Sequence, residues 1–331
     1  MPKVIHIGPC DTPGGMANVM RTLVEYPPEG WEAELLSSHV IGSPWAKWRA
    51  YRRARATLTR MLRDEAQRPD IIHLHTAADW SWWRKRRFAQ MAHKAGIPNI
   101  VHIHSGKFDS WLGNPNSRRS KAMRKELETN QSQTVVLNSS WKSAMEPFIG
   151  SVTVINNAVP PNIQPNNAPR DDKHILLMGR NDPVKGHQFA MKVCQKVKNA
   201  IPGLQVTMTG VSSSHHEWIS TVGWVSESRK LKLLQKSSIL LVPSAFEGQP
   251  LVIIEALTCG LPVLASDRVK DLPDSVMIAP YQNIEMWASK IIEMLDAPKN
   301  PSLLIKQAQS YSVATISKKW ESLYSRMLGI D

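Results

Sequence analysis

The chain has 331 residues, of which 42% are hydrophobic and 21% are charged, a composition that excludes a largely disordered protein. Its 41 Lys and Arg against 28 Asp and Glu give a formal net charge of +13. No apolar run approaches 18 residues, so the sequence predicts no transmembrane helix, and its N-terminus is typical of a strand rather than a signal peptide. The three cysteines are far apart and form no disulfide or metal motif, which favours a cytoplasmic protein.

The first half of the chain alternates short apolar runs with longer amphipathic ones. Strands are predicted at residues 4–8, 33–37, 71–75, 100–104, 134–138 and 152–156. Helices are predicted at residues 15–25, 45–65, 80–95, 118–130 and 140–148. Continuous apolar strands that alternate with helices are typical of a parallel sheet covered on both faces.

The alternation restarts after residues 159–173, which are rich in proline and asparagine and are predicted to form a linker. The later strands are predicted at 174–178, 205–209, 239–242, 263–266 and 276–278, and the helices at 187–200, 227–235, 250–258, 284–295 and 312–328. We therefore expect an α/β protein with two doubly wound domains, 1–158 and 174–311, and a C-terminal helical segment, 312–331. Ligands of such sheets bind beyond the carboxyl ends of the strands, so a cleft between the domains is the expected site.

The sharpest motif follows a predicted strand of the second domain and reads PSAFEGQPLVIIEALTCGLPV over residues 243–263. Glu247 lies in the loop before a helix, and Glu255 lies eight positions later on an apolar helix face. A carboxylate buried there needs a partner, and a ribose diol is suitable because it donates two hydrogen bonds. The helix N-terminus near Gly248 would offer backbone N–H groups to a diphosphate. The alternative is a helix N-cap carboxylate and an internal salt bridge.

Two further loops follow the first predicted strand of each domain. In the second domain, Arg180 and Lys185 could clamp a diphosphate and neutralise charge on a leaving group. This loop lacks the spacing of a Walker A motif, and an exposed basic loop is the alternative. In the first domain, Gly14 and Gly15 open a helix and would let a ligand approach the backbone, although a plain turn fits as well.

Histidines occur in two strand-end pairs, His73 with His75 and His102 with His104. Residues i and i+2 of a strand share a face, so each pair could contribute to a metal site. Zinc needs three or four ligands and no Cys or carboxylate cluster accompanies either pair, so we expect no metal and structural roles for His73, His75 and His102. His104 could instead orient a hydroxyl or polarise a reacting group. The chain also lacks the Asp-x-Asp motif of a metal–diphosphate site.

The positive charge is concentrated in residues 1–165, which carry 22 Lys and Arg but only 13 Asp and Glu. Segments 45–53 and 80–87 combine these cations with tryptophan. Indole rings suit a lipid–water boundary, and Lys and Arg attract anionic headgroups. The same composition could stack bases and bind phosphates. A solvated basic helix face with tryptophan packed inward is the third interpretation.

Together these motifs resemble those of the retaining glycosyltransferases of family 4, which have the GT-B fold of two facing Rossmann-like domains. The resemblance covers nearly the whole chain in the family's order. Its motifs are Gly14-Gly15, residues 71–75, His104, residues 154–157, Gly179-Arg180 with Lys185-Gly186, residues 223–225, residues 243–263 and Trp320 with Tyr324. The chain departs from the family at residues 156–160, and after Pro262 it lacks the usual Gly-Gly-x-x-Glu.

The resemblance implies roles for individual residues. Arg180 and Lys185 would bind the diphosphate of the donor, and Glu255 would bind its ribose. Glu247 and His104 would lie near the transferred sugar. The expected catalytic residues are His104, Glu247, Arg180 and Lys185. The expected donor-binding residues are Gly14, Gly15, Arg180, Lys185, Ser226, Glu247, Gly248, Gln249, Pro250, Leu251 and Glu255.

The resemblance also implies a reaction. The expected enzyme transfers a sugar from a UDP- or GDP-sugar to a saccharide or lipid-linked acceptor in envelope polysaccharide synthesis, with retention by a front-face mechanism and with no metal or other cofactor. The C-terminal helix would cross back to the first domain, and an anionic membrane surface is a possible partner on the inner face of the cell membrane. A nucleotide-sugar 2-epimerase on the same fold and a non-catalytic nucleic-acid-binding protein are the alternatives.

Overall fold

The computed structural model describes residues 1–166, 168–211, 216–297 and 300–330. Asn167 of the predicted linker and Asp331 of the predicted C-terminal segment lie outside them. The chain divides into two compact units. Unit 1 comprises Met1–Pro160 together with the C-terminal segment that begins at Val313, and unit 2 comprises Pro161–Ser312. Among the described residues, no helix combines the length and the apolarity that crossing a bilayer requires.

Unit 1 contains a parallel six-stranded sheet with the order β2-β1-β3-β4-β5-β6. Its strands are β1 (Lys3–Gly8), β2 (Glu32–Ser37), β3 (Ile71–Thr76), β4 (Asn99–Ile103), β5 (Gln133–Val136) and β6 (Thr153–Val154). Its helices are α1 (Gly15–Glu25), α2 (Pro44–Met61), α3 (Trp80–Lys94), α4 (Phe108–Leu112), α5 (Arg118–Thr129), α6 (Ser139–Ile149) and the C-terminal α12 (Val313–Leu328).

The two faces of the unit 1 sheet carry different side chains because alternate residues of a strand point to opposite faces. Ile72 and Leu74 of β3 belong to a large apolar core with residues of α2 to α6. The opposite face of β3 carries His73 and His75, both buried. This face packs against α12, whose Tyr324 contacts His73.

Unit 2 contains a second parallel six-stranded sheet with the order β12-β11-β10-β7-β8-β9. Its strands are β7 (His174–Leu177), β8 (Gln205–Thr209), β9 (Ile219–Val222), β10 (Ile239–Val242), β11 (Val263–Ser266) and β12 (Met277–Ala279). Its helices are α7 (His187–Ala200), α8 (Glu227–Lys236), α9 (Leu251–Thr258), α10 (Ile284–Asp296) and α11 (Pro301–Ala308). Its core is apolar and centres on β7, β8, β10, α7 and α10.

The α/β class with two parallel sheets, predicted from the sequence, is confirmed. Among the described residues, two α-helices and one strand are additional to the predicted ones, namely α4, α11 and β9. The helix predicted over 45–65 ends at Met61, with Leu62 as its C-cap. The strand predicted over 134–138 ends at Val136, because Asn138 has already turned to cap α6 with its side chain. The strand predicted over 152–156 shortens to Thr153–Val154.

Candidate functional site

Two loops meet at the carboxyl edge of the unit 2 sheet, one after β7 and one after β10. These strands are direct neighbours, and the chain places β8 and β9 on the β7 side of the pair and β11 and β12 on the β10 side. The pair is therefore the topological switch point, where ligands of doubly wound sheets bind. The backbone N–H of Ala245 donates to the Val184 carbonyl oxygen at 2.9 Å, which joins the loops. Gly186 has φ +72°, and a Cβ there would lie 2.8 Å from the Pro243 carbonyl oxygen.

Lys185 and Glu247 face each other across these loops. The Lys185 Nζ lies 2.5 Å from Glu247 Oε1, and the Ser244 hydroxyl donates to the same oxygen at 2.7 Å. Both charged side chains are partly exposed, so water or a ligand can reach them. The structure thus brings two of the predicted site residues together, and it adds Ser244, which the sequence did not single out.

Arg180 lies in the same loop as Lys185 but is held loosely. Its side chain is 64% exposed, and its Nη2 lies 3.7 Å from Asp182 Oδ2. The loop backbone beneath it is tightly fixed, because the Gly179 N–H donates to Thr209 Oγ1 at 3.0 Å. Gly210, with φ +75°, packs against the same loop. A guanidinium on a rigid loop and open to solvent can reorient toward an incoming anion.

Glu255 is almost fully buried on α9 and is paired with a lysine. Lys230 Nζ of α8 lies 2.7 Å from Glu255 Oε1 and 2.5 Å from Glu227 Oε2. Burial raises the pKa of Glu255, and the Lys230 charge opposes that rise. Burial lowers the pKa of Lys230, but Glu255 and Glu227 together leave it raised. The internal salt bridge considered as an alternative is therefore present, although its lysine was not predicted.

The remaining unit 2 residues that were predicted to bind the donor lie near the N-termini of α9 and α8. Gly248 and Gln249 are half-buried in the loop, Pro250 is the N-cap of α9, and Leu251 is its first residue. The helix N-terminus expected near Gly248 therefore lies at Pro250, and Glu247 is not the N-cap. Ser226 is the N-cap of α8, where its hydroxyl oxygen accepts from the Arg229 N–H at 3.3 Å.

The other predicted site residues belong to unit 1. Gly14 has φ +137° and caps α1, and Gly15 is the exposed first residue of that helix. His104 follows β4 and is half-buried, with its Nε2 2.9 Å from His75 Nδ1. Burial lowers the pKa of His104 to about 3, so its imidazole is neutral at physiological pH. Its side chain is thus part of a histidine network rather than an isolated group.

That network also includes the histidines for which structural roles were expected. Both ring nitrogens of His73 and of His75 have hydrogen-bond partners. For His102 the expectation is wrong in part, because its buried Nε2 has no hydrogen-bond partner within the described ranges. His6 of β1 joins the network through His75, although nothing in its local sequence marked it.

The basic tryptophan-rich helices divide between surface and core. Trp45 and Trp48 of α2 are exposed and stack with ring centroids 4.7 Å apart. Trp80 and Trp83 of α3 are exposed as well, at 76% and 38%. Tryptophan packed inward is therefore the wrong interpretation for these four rings, but it is correct for Trp82 of α3, which is buried in the core. Lys85 of α3 is fully buried, so this helix face is not uniformly solvated.

Two family models match the chain, and together they span residues 13–311. The model described as Glycosyltransferase Family 4 matches residues 13–162. The model described as Glycosyl transferases group 1 matches residues 159–311. The boundary between the two matches lies close to the boundary between the two compact units.

Individual proteins with similar sequences or folds agree with these matches. Glycogen synthase from Mycobacterium tuberculosis is 23% identical over 275 residues, which cover 74% of this chain and 65% of that relative. The D-inositol 3-phosphate glycosyltransferase of Segniliparus rotundus is 26% identical over 38% of this chain and 32% of its own length. The structure of sucrose-phosphate synthase from Thermosynechococcus elongatus is 17% identical with a TM-score of 0.74, covering both chains completely. The pneumococcal O-GlcNAc transferase GtfA, in complex with UDP and GlcNAc, is 13% identical over 86% of this chain and 60% of its own, with a TM-score of 0.64.

Proposed function

Because the chain is a glycosyltransferase that belongs to family 4 and has the GT-B fold, we propose that it transfers a sugar from a UDP- or GDP-sugar to a saccharide acceptor. The observation that carries this proposal is the group of Lys185, Glu247 and Arg180 at the switch point of unit 2. A flexible cation and a second cation held by a carboxylate suit a diphosphate that arrives with two negative charges. The UDP bound by the similar transferase GtfA agrees with this donor class.

Leaving-group stabilisation would be the main catalytic contribution. The bond between the sugar's anomeric carbon and the diphosphate oxygen breaks, and the acceptor oxygen bonds to the same face of that carbon. The acceptor's proton passes to the departing diphosphate. Arg180 and Lys185 would stabilise the charge that develops on this group, so two side-chain cations supply what a divalent metal supplies in other transferases. Retention follows because attack and departure share one face.

The two glutamates would have different tasks. Glu255 is buried and paired with Lys230, which keeps a carboxylate at a fixed position where it can accept hydrogen bonds from a ribose diol. Glu247 accepts from both Lys185 and Ser244 on one oxygen, which holds its carboxylate at the mouth of the same loops. There it would orient the transferred sugar. His104 of unit 1, whose imidazole is neutral and half-buried, is proposed as a further hydrogen-bonding group of the catalytic set.

A thermal-shift panel of UDP, GDP, ADP and their sugars tests the donor. Binding to the folded state alone raises the melting temperature, by an amount that grows with ligand concentration. We expect one nucleotide to shift wild type and Lys192→Ala equally, since Lys192 is an exposed lysine of α7 outside the site. Glu255→Ala should lose most of the shift. If no compound of the panel shifts the protein, the donor proposal is wrong.

Turnover measurements test the catalytic assignment. Lys185→Ala and Arg180→Ala should each lower kcat by about 100-fold, the usual loss when one charge-stabilising donor is removed. Lys192→Ala should retain wild-type turnover. Wild-type rates in both site variants would contradict the assignment. A changed sugar released without any acceptor would instead identify an epimerase.

We further propose that the acceptor is lipid-linked and that unit 1 docks on an anionic membrane surface, as in envelope polysaccharide assembly. The exposed rings of Trp45, Trp48, Trp80 and Trp83 support this, because such rings partition to the lipid–water boundary. Arginines accompany the rings, with the Arg86 guanidinium 4.1 Å from the Trp83 ring centroid. Cations beside interfacial tryptophans attract anionic headgroups. The enzyme would then work at the cytoplasmic face of the membrane.

Co-sedimentation with vesicles tests the membrane proposal. Wild type should bind vesicles that contain phosphatidylglycerol at low salt and should bind less at high salt, because salt screens the attraction. Trp45→Ser combined with Trp80→Ser should reduce binding, whereas Trp224→Ser, an equally exposed tryptophan of unit 2, should not. If wild type bound the vesicles at neither salt concentration, the membrane proposal would be refuted. Binding to nucleic acid in place of vesicles would favour the alternative partner.

A further inference from the structure

Five histidines lie on one face of the unit 1 sheet. His6 of β1 is paired in register with His73 of β3, and His75 of β3 is paired with His102 of β4. His104 follows two residues after His102, so it extends the same face. The sequence shows these residues only as separate pairs, whereas the parallel register places them side by side. We call them the histidine cluster.

The ring nitrogens of the histidine cluster form two hydrogen-bonded chains. In the first, His6 Nδ1 lies 2.9 Å from His75 Nε2, and His75 Nδ1 lies 2.9 Å from His104 Nε2. In the second, the Tyr324 hydroxyl lies 2.9 Å from His73 Nδ1, and His73 Nε2 lies 3.2 Å from His102 Nδ1. The second chain ends at His102 Nε2, which is buried and has no hydrogen-bond partner in the described part of the chain.

Neutral imidazoles cannot satisfy every atom of the second chain. A neutral histidine has one N–H donor and one acceptor nitrogen. The donor–acceptor direction of one hydrogen bond in the series therefore fixes the direction of the next. If Tyr324 donates to His73, then His102 Nε2 carries a buried N–H with no acceptor. If the chain runs the other way, His102 Nε2 is a buried lone pair with no donor. Either case carries the cost of an unpaired buried polar atom.

We propose that His75, His102 and His104 bind one divalent transition metal ion of the zinc class. Each offers one ring nitrogen, and the three nitrogens lie within 4.8 Å of one another. Zinc–nitrogen bonds of about 2.0–2.1 Å in tetrahedral geometry place ligand nitrogens about 3.4 Å apart, so small side-chain rotations suffice. Imidazole is a preferred ligand of zinc, copper, nickel and iron. A water molecule would complete the coordination, as in other sites with three protein ligands.

The hydrogen bonds around the three ligands fit this assignment. With His102 Nε2 on the metal, its Nδ1–H donates to His73 Nε2, and the Nδ1–H of His73 donates to the Tyr324 hydroxyl oxygen. With His75 Nδ1 on the metal, its Nε2–H donates to His6 Nδ1. Metal-bound histidines commonly donate their second N–H to such outer partners, which fix the ring orientation. The ion replaces the His75–His104 hydrogen bond and gives the buried His102 Nε2 a partner.

The ligands of the proposed ion belong to unit 1, whereas Arg180 and Lys185, which are proposed to bind the donor diphosphate, belong to unit 2. The sequence argument against a metal counted only the two ligands of one His-x-His pair. The register of β3 and β4 adds a third ligand, because it places His75 beside the pair His102 and His104. Because His104 is also in the proposed catalytic set, the test measures metal binding rather than activity.

Metal titration of the full-length, tag-free protein tests the site. After dialysis against a chelator, wild type should bind one equivalent of Zn²⁺ by calorimetry, and Co²⁺ should give the visible absorption bands of a four-coordinate ion. His102→Gln and His75→Gln should weaken binding by more than the 10–100-fold typical of losing an outer partner. Tyr324→Phe, which keeps all three ligands, should weaken it by about tenfold or less.

His93→Gln is the matched control, because His93 is an exposed histidine of α3 in the same unit. It should bind zinc like wild type. If His102→Gln and His75→Gln fail to fold, the half-buried His104→Gln variant and the wild-type cobalt spectrum still decide the question. Binding of less than one equivalent by wild type, or unchanged affinity in the ligand variants, would overturn the proposal.

Discussion

Glu255 and Lys230 form a buried ion pair whose two members depend on each other. The Glu255 side chain is 7% exposed on α9, and Lys230 is 13% exposed between two carboxylates. Removing one partner of such a pair leaves a buried charge with no compensation, which is more costly than removing both. The Glu255 carboxylate, which is proposed to bind the ribose of the donor, is therefore held in place only while Lys230 is present.

Lys230→Met should lower the free energy of unfolding by about 3–5 kcal/mol. The double variant Lys230→Met with Glu255→Gln should lose less than the sum of the single variants, because no buried charge remains unpaired. Urea unfolding of the four proteins measures this coupling. Lys232→Met, an exposed lysine of the same helix, should change little. Additive losses would show that the two side chains do not interact.

Lys85 is a second buried charge, and its partner is uncharged. Its Nζ donates to the Ser38 hydroxyl at 2.7 Å. Burial, with a smaller contribution from Arg84, lowers the pKa of Lys85 to about 7. Between that value and the ordinary lysine pKa, the unfolded chain binds more protons than the folded protein. Stability should therefore rise with pH across this window.

Lys85→Met should abolish this dependence, and the variant should be more stable than wild type below pH 7. Wild type should gain stability between pH 7 and pH 9.5, at up to about 1.4 kcal/mol per pH unit. Denaturant unfolding at both pH values measures the slope. Lys94→Met, exposed on the same helix, should keep the wild-type slope. Equal slopes in wild type and Lys85→Met would contradict the assignment.

At the scale of the element, the turn after β8 supports the loop that carries Arg180. Gly210 has φ +75°, and a Cβ there would lie 2.1 Å from the Gly179 carbonyl oxygen. Relief of this contact would require the main chain at Gly179 or at Gly210 to move, and either movement would displace the loop that carries Arg180. The turn after β8 thus determines the position of the Arg180 side chain, although the two are distant in sequence.

Gly210→Ala should weaken binding of the nucleotide found in the thermal-shift panel by at least about tenfold, since the displaced loop misplaces a cation. Gly203→Ala is the control, because Gly203 also has a positive φ, +84°, but its Cβ would meet only Lys173 Cδ at 3.9 Å. Both variants carry the left-handed backbone cost of about 1–2 kcal/mol. Only Gly210→Ala should lose affinity, and equal losses would contradict the steric argument.

The elements that could be predicted are those whose signal lies within the element itself. The strands at 239–242 and 263–266 match the structure because each is a continuous buried run, and the strand at 205–209 matches because it is buried after its exposed first residue, Gln205. β9 escaped prediction because this edge strand, Ile-Ser-Thr-Val, is short and has two adjacent polar residues at its centre. Three features depend on contacts between distant segments, which spacing along the chain does not reveal. They are the pairing of Lys230 with Glu255, the burial of Lys85 and the proximity of His104 to His75.

At the scale of the whole molecule, unit 1 is built from two separate stretches of chain. Its last element, α12, covers the histidine face with Trp320 and Tyr324, while the whole of unit 2 lies between α12 and the rest in sequence. The sheet of unit 1 is therefore incomplete in its packing until α12 is present. Unit 2, in contrast, is one continuous stretch with its own core.

A fragment of residues 161–312 should unfold cooperatively, whereas residues 1–160 alone should not, because α12 no longer covers His73 and His75. Adding a peptide of residues 313–330 to the second fragment should restore part of its cooperativity. Thermal melts followed by near-ultraviolet circular dichroism measure both. A cooperative melt of residues 1–160 at the temperature of the full chain would show that α12 is dispensable.

The divided architecture of unit 1 has a consequence for how the protein is made. A ribosome synthesises the six strands of unit 1 before unit 2, whereas α12, the helix that covers one face of their sheet, follows unit 2 in the chain. The newborn sheet therefore lacks its covering helix until the whole of unit 2 has been synthesised. A premature stop codon between unit 2 and α12 would therefore damage unit 1, although it leaves all six strands of that unit intact.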